Sequence, residues 1–397
     1  MLVTSDINRA PNTPFRLIVT GGGTGGHTYP ALTAIRALRE RLAGEGRALE
    51  VLWIGTAEGL EARVAPAEGI PFTTVATGKI RRSSNPLKLL GPANVKDMAR
   101  VPLGVAQARS KIAEFAPDVV LATGGYVAVP AGLAARLCRR PLVLHEQTVR
   151  LGLANRKLAG AATRIAVSSE STLELLPSQV RPVAVVTGNP VRPEILNGNA
   201  DKAVTALGLS GFDRGLPTLY VTGGAQGAQQ INTLVARALP WLLERANVIH
   251  QCGPGHVKQL ASLTVQLPRQ TQARYYRTGY IGGELPDVLA LADVVVSRSG
   301  AGTLAELTAL GKAAVFLPLA SSAGDEQTHN AQHLEEAGAA VTLTGEVSAD
   351  RLRQALGPLL TDPIRRADME QAARAHGRPD AAQRLVDVLL DATRSAP

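Results

Sequence analysis

A histidine closes a run that is otherwise glycine with one threonine, Gly21-Gly-Gly-Thr-Gly-Gly-His27, directly after the apolar stretch Phe15–Thr20. Bare glycines at a helix start let backbone N–H groups approach a phosphate or a sugar. The imidazole adds something a phosphate cradle does not need. It can take a proton from a hydroxyl near neutral pH. On position alone, His27 reads equally well as such a base or as a helix-start side chain bonded to nearby backbone.

A second glycine turn, Gly223-Gly-Ala-Gln-Gly227, follows Thr218–Thr222 about 200 residues later, and a third, Gly124-Gly-Tyr-Val-Ala-Val-Pro130, follows Asp118–Ala122. Two of these turns so far apart suggest two nucleotide-fold halves facing one cleft. His145-Glu-Gln147 ends the apolar run Pro141–Leu144. Three polar residues there are poor core material; they line a ligand or cap the next helix. Ser297-Arg-Ser-Gly-Ala-Gly-Thr-Leu-Ala-Glu306 offers small residues for close approach of amides to a diphosphate. Glu306 reads as an acceptor for two ribose hydroxyls or as a solvated helix residue. Asp325-Glu-Gln-Thr-His-Asn330 brings amides that both donate and accept, or an N-cap at Asp325.

Strand-like and helix-like segments alternate along the chain, which indicates parallel sheets covered by helices. Strands are expected near 15–20, 49–54, 71–75, 118–122, 141–145, 163–167 and 183–187, then near 218–222, 247–251, 275–279, 293–297, 313–317 and 340–344. The two prolines of Gly188-Asn-Pro-Val-Arg-Pro193 break this pattern and divide the chain into domains 1–190 and 191–379. Whether the last helix, about 380–393, folds back onto the first domain stays open. Gly21, Gly23 and Gly26 formally match the dinucleotide fingerprint. That fingerprint wants an acid at the end of the second strand, where this chain has Trp53-Ile-Gly-Thr56. The mismatch argues against a nicotinamide-dependent oxidoreductase.

Composition narrows the class further. Aromatics make up only 3% of the chain, which disfavours base-stacking nucleic-acid modules. Cys138 and Cys252 stand alone and suit a reducing compartment. Residues 1–14 lack a signal-peptide pattern, and the apolar stretch Val119–Cys138 is interrupted by Gly124, Gly125 and Pro130, so a soluble or peripheral protein is expected. Residues 1–190 carry 23 basic against 13 acidic side chains, while residues 191–397 carry 19 against 20. Such asymmetry suggests that the first half faces a polyanion or an acidic membrane. Arg81, Arg82 and Lys88 interleave with Leu89 and Leu90 in the manner of a membrane-surface patch, or of an ordinary helix that buries its leucines.

Taken together, these strings resemble the MurG family of bacterial N-acetylglucosaminyltransferases. The resemblance is carried by Gly22–His27, Gly124–Val127 with Pro130-Ala-Gly132, His145-Glu-Gln147, Gly188–Arg192, Gly223–Gly227, Arg298–Ala301 with Glu306, and Gln327 with Asn330-Ala331. Their order and spacing match along almost the whole chain. The resemblance implies a GT-B fold: α/β, with two Rossmann-like parallel-sheet domains facing a central cleft. It implies an inverting transfer of N-acetylglucosamine from UDP-N-acetylglucosamine to the muramoyl 4-hydroxyl of undecaprenyl-diphosphate-N-acetylmuramoyl pentapeptide (lipid I), giving lipid II for peptidoglycan. Other readings are a different GT-B enzyme for UDP-sugars, such as a glycolipid synthase or an epimerase, or a non-catalytic UDP-sugar-binding subunit.

Carried over residue by residue, the resemblance makes His27 the general base. Thr24, Gly25 and Gly26 fall near the donor sugar, Arg192 on a donor-contacting arginine, and Ile281 on the residue whose backbone meets uracil. Ala301, Gly302 and Thr303 fall on the diphosphate-facing helix start, followed by Leu304, Ala305 and the ribose ligand Glu306. Gln327 falls on the residue that reads the sugar. Gly124, Gly125, Tyr126 and Glu146 belong to the acceptor side. Thr148, Ala225 and Glu326 depart from the family's usual residues. Threonine 148 replaces an amide, Ala225 leaves only a backbone contact, and Glu326 is expected to point outward. The resemblance further implies no required cofactor or metal, no nucleic-acid partner, and a peripheral place on the cytoplasmic face of the cell membrane. The basic first domain then has a reason, an anionic membrane and a lipid diphosphate.

Overall fold

Apolar β-branched runs without polar breaks, such as Leu17–Val19 and Val294–Val296, suit strands covered on both faces. The computed structural model, described for residues 13–78, 92–264 and 267–394, arranges such strands in two all-parallel sheets. The first contains β1 (Phe15–Thr20), β2 (Leu49–Gly55), β3 (Phe72–Thr74), β4 (Val119–Ala122), β5 (Leu142–Glu146), β6 (Arg164–Val167) and β7 (Ala184–Val186), in the order β3-β2-β1-β4-β5-β6-β7. The second contains β8 (Thr218–Thr222), β9 (Asn247–Gln251), β10 (Tyr275–Thr278), β11 (Val294–Ser297), β12 (Ala313–Phe316) and β13 (Val341–Thr342), in the order β10-β9-β8-β11-β12-β13.

Each sheet therefore reverses its winding once, between β1 and β4 and between β8 and β11. Open α/β sheets bind ligands beyond the carboxyl ends of the strands at such a reversal. The four small-residue segments singled out in the sequence follow these four strands. Residues 21–27 leave β1, 124–125 lie just past β4, 223–227 leave β8, and 298–302 follow β11. The chain thus repeats one design, and its glycines stand where the design needs close backbone approach.

The chain divides into two compact units, residues 1–190 with 380–397, and residues 191–379. In the first, Leu17, Val19 and Trp53 point to one face of the sheet, while Ile18 and Ile54 point to the other, as the two-residue period of a strand requires. The first face is covered by helix Gly25–Gly44 and by the C-terminal helix Ala381–Arg394, which brings Leu385, Val386, Leu389 and Ala392 into the same buried cluster. In the second unit Leu219 and Val221 pack beneath helices Gln229–Leu243 and Ala349–Thr361, and Tyr220 faces the opposite cluster.

The chain has two tryptophans, Trp53 in the first unit and Trp241 in the second, so each unit reports its own unfolding. Leu389 is fully buried in the Trp53 cluster. In a Trp241→Phe background, Leu389→Ala should destabilise the Trp53-reported urea transition by about 2–5 kcal/mol. An unchanged transition would mean that the C-terminal helix does not contribute to this core.

Candidate active site

The first glycine turn is held by protein groups on three sides. Trp53 Nε1 donates to the Gly21 carbonyl at 3.1 Å, Gly22 N–H donates to the Gly124 carbonyl at 3.3 Å, and Gly23 N–H donates to Glu61 Oε2 at 2.8 Å. Glu61 is completely buried, and its Oε1 accepts from the Thr56 amide at 3.0 Å and from its hydroxyl at 2.9 Å. A side chain on Gly22 would run into the Glu61 carboxylate, and one on Gly125, at φ +83°, into the Gly22 carbonyl. What remains open are the amides of Thr24, Gly25 and Gly26 at the start of helix Gly25–Gly44, which donate to no group among the described residues. Orphan N–H groups at a helix N-terminus attract an anion or a polar oxygen.

Glu61 was missed by sequence reasoning. It stands in the first turn of a short helix, where an acid ordinarily does no more than complement the helix dipole. Thr56 is a local partner just past β2, but Gly23 lies in the turn after β1, 38 residues away, and no spacing in the sequence points to it.

His27 and the polar end of β5 come together in one network. His27 Nδ1 lies 3.1 Å from Gln147 Oε1. Gln147 Nε2 lies 2.9 Å from the Thr123 carbonyl, 3.1 Å from the His145 carbonyl and 3.0 Å from His145 Nδ1. His145 Nε2 in turn lies 3.1 Å from the Gly188 carbonyl. Burial pushes the His145 imidazole down to about 4, against the opposing effect of its bond to Gly188, so the ring is neutral at physiological pH. Gly124, at φ +106°, lies so close to the His27 ring that any Cβ would press on it.

Glu146, expected on the acceptor side, is turned into the protein. Its Oε1 accepts from the Thr148 amide at 3.1 Å and hydroxyl at 2.8 Å, and its Oε2 accepts from the Gly152 amide at 2.8 Å and from Asn155 Nδ2 at 3.0 Å. Four donors use the acceptor sites of a carboxylate. Glu146 is thus the clamp of the loop that follows β5. The Thr148 hydroxyl lies between Glu146 and the Arg150 carbonyl and also faces inward, not toward a sugar. Tyr126 is partly exposed beside Gly125.

The second unit repeats the arrangement with other groups. Gly227 and Gly253, both at positive φ, pass so closely that a side chain on either would strike the other's neighbouring backbone carbonyl. Gln251 ties the turn to the segment just past β10: its Nε2 donates to the Gly224 carbonyl at 3.0 Å, and its Oε1 accepts from Ile281 N–H at 3.0 Å. Ile281 therefore spends its N–H inside the protein. Ala225 is exposed at the tip of the turn.

Helix Ala301–Leu310 starts at Gly300 without a side-chain cap, which leaves the amides of Ala301, Gly302 and Thr303 open. The Leu304 amide already bonds to the Gly300 carbonyl, and Leu304 and Ala305 pack on the apolar cluster beneath, so these two support the helix and do not offer donors. Glu306 Oε1 accepts from Arg192 Nε at 3.1 Å and Nη2 at 2.9 Å, which leaves Oε2 to other partners. Burial raises the Glu306 carboxyl above its ordinary value and Arg192 pulls it back. Gln327 Oε1 accepts from the Leu319 amide at 3.0 Å, so its Nε2 is the end that can meet a ligand. Glu326 is exposed.

Arg81, Arg82, Lys88, Leu89 and Leu90 lie outside the described residues. Among those described, no helix is long and apolar enough to cross a membrane, and no group of three or more His, Cys, Asp or Glu side chains could hold a metal ion.

Comparison with known proteins now bears on this geometry. Residues 17–167 match the glycosyltransferase family 28 N-terminal domain and residues 218–385 match the family 28 C-terminal domain. The UDP-N-acetylglucosamine–N-acetylmuramyl-(pentapeptide) pyrophosphoryl-undecaprenol N-acetylglucosamine transferase of Listeria welshimeri is 34% identical over 377 residues, 94% of this chain and 99% of that protein. The corresponding Geobacter sulfurreducens enzyme is 34% identical over 96% of this chain and 99% of its own length. The crystal structure of MurG from Acinetobacter baumannii superposes with a TM-score of 0.72 at 28% identity, covering 95% of this chain and all of that one. The chain belongs to the MurG family. Its fold is accordingly GT-B. A UDP-GlcNAc 2-epimerase from Neisseria meningitidis also superposes, with a TM-score of 0.64 at 16% identity over 95% of this chain and 99% of that one, and this likeness extends to the fold alone.

Within this MurG-family chain, Glu61 should matter through backbone geometry. Glu61→Gln keeps the shape but sets an N–H₂ against donors of Gly23 or Thr56, and should destabilise the first unit by about 1–3 kcal/mol. Urea unfolding read from Trp53 would show the shift; wild-type stability would remove Glu61 from this role.

Proposed function

We propose that the protein transfers N-acetylglucosamine from UDP-N-acetylglucosamine to the 4-hydroxyl of undecaprenyl-diphosphate-N-acetylmuramoyl pentapeptide, forming lipid II. The observation that carries this reading is full-length membership of a family whose members bear that activity in their names. The acceptor oxygen attacks C1 of the sugar from the face opposite UDP. The C1–O bond to the diphosphate breaks, UDP leaves with the electron pair, and the configuration inverts from α to β. The hydroxyl proton passes to His27 Nε2, the ring nitrogen that faces away from Gln147.

UDP is already a good leaving group, so positioning and charge stabilisation account for most of the work. In this reading the open amides of Ala301–Thr303 and of the turn at Ala225 stabilise the diphosphate. Glu306 Oε2 accepts from the ribose, with Arg192 holding Oε1 and so fixing the carboxylate's plane. Gln327 Nε2 donates to the sugar, and the Ile281 carbonyl meets uracil. Thr24, Gly25 and Gly26 offer amides to the sugar and to the acceptor diphosphate. Gly124, Gly125 and Tyr126 border the acceptor side. No metal or other cofactor enters the scheme.

The reading also places the enzyme at the cytoplasmic face of the membrane as a peripheral protein, with Arg81, Arg82, Lys88, Leu89 and Leu90 as its lipid-facing patch. The excess of basic residues in 1–190 supports this.

An assay with UDP-N-acetylglucosamine and a short-chain lipid I analogue tests the central claim. Wild type should transfer the sugar, and His27→Ala should lose about 10²–10⁴-fold in kcat while still binding UDP-N-acetylglucosamine. Nucleotide-sugar binding without transfer in the wild type would instead favour a different acceptor or a non-catalytic role. For the membrane claim, neutralising Arg81, Arg82 and Lys88 together should weaken sedimentation with anionic liposomes. Equal binding by both proteins would exclude the patch.

A further inference from the structure

The network behind His27 has a direction that its chemistry enforces. Gln147 presents one end of its amide to two backbone carbonyls, Thr123 at 2.9 Å and His145 at 3.1 Å. Carbonyl oxygens only accept, so this end is the N–H₂ group. The oxygen end must then face His27, and the nitrogen it faces, Nδ1, must carry the proton.

A second anchor leads to the same assignment from the opposite end. His145 Nε2 faces the Gly188 carbonyl at 3.1 Å, so Nε2 carries the proton of that ring. Its Nδ1 is then a bare acceptor, which again requires the N–H₂ end of Gln147 at 3.0 Å. The two lines of argument meet at the Gln147 N–H₂, whose two protons serve three acceptors with one shared, and they start from different carbonyls, Thr123 just past β4 and Gly188 just past β7.

We propose that Gln147, backed by His145, is a positioning residue that locks His27 as the Nδ1–H tautomer, so that its Nε2 is always the bare, proton-accepting nitrogen. This inference rests on the transferase reading only for its catalytic meaning. A histidine side chain in water prefers the Nε2–H tautomer, so the protein imposes the less common form. The logic resembles that of a carboxylate behind a catalytic histidine, which sets tautomer and orientation without itself taking the proton. Here a neutral amide does this work, and no negative charge is added next to the ring. His145 is fully buried and stays neutral, so the anchor does not titrate away in the working range.

The test reads the tautomer directly. Protein labelled with ¹⁵N at histidine has seven imidazoles, and a His27→Ala variant assigns the one that matters. Long-range ¹H–¹⁵N correlation should show His27 protonated at Nδ1 and bare at Nε2 in the wild type. In Gln147→Leu the proton should move predominantly to Nε2. Its kcat should fall at least ~10-fold, with the KM for UDP-N-acetylglucosamine within about twofold, because only the proton-transfer contribution is removed. An Nε2-protonated His27 in the wild type overturns the proposal, and this spectrum needs no variant to fold. A Gln147→Leu protein that keeps Nδ1 protonation, or that turns over like the wild type, overturns it equally. The spectrum is recorded without substrate, so failure to make lipid II would contradict the transferase reading and leave the tautomer result to stand by itself.

Discussion

Two glycine turns in the first unit touch backbone to backbone, and the placement of His27 depends on that contact. Gly22 donates to the Gly124 carbonyl, and Gly125 lies against the Gly22 carbonyl with no room for a side chain between them. The contact is possible because β1 and β4 are neighbours at the winding reversal of the sheet. It sets the His27 ring against Gly124, and it orients the first amides of helix Gly25–Gly44 outward. A Cβ at Gly124 or Gly125 would require positive φ as well as space, two separate penalties. The glycines are therefore structural requirements.

Buried polar groups then fix what the glycines leave adjustable. Glu61 anchors the first turn, Glu146 the loop after β5, and Gln147 with His145 the His27 ring. In the second unit, Gln251 spans from Gly224 to Ile281, and buried His250 bridges Tyr275 and Asn232, whose Nδ2 reaches the Cys252 carbonyl. Unsatisfied, such groups would destabilise the fold; satisfied, they specify one geometry. The donors and acceptors that face outward are the ones these anchors do not use.

Much of this was legible in the chain. Strands buried on both faces show as uninterrupted apolar runs, and each expected strand is present within a few residues. Glycine turns after those runs lie where each sheet reverses its winding, and the proline pair near 190 falls where the two compact units divide. The side-chain bonds were not legible. His27 and Gln147 are 120 residues apart, and His145 and Gly188 are 43 apart. No local periodicity encodes such pairings. Glu146 shows the consequence: a polar residue at a strand end suggests a ligand, yet its carboxylate is used up by the loop it closes. Glu61 shows the converse, an ordinary helix-start acid that proves to be fully buried.

In the proposed reaction, His27 Nε2 receives the proton of the acceptor hydroxyl. A crystal structure with UDP and a lipid I analogue bound together would test it most directly. The muramoyl 4-hydroxyl oxygen should lie at hydrogen-bond distance from His27 Nε2, about 2.6–3.2 Å, with Nδ1 still on Gln147. A 4-hydroxyl that instead meets another side chain, with His27 out of reach, would contradict it.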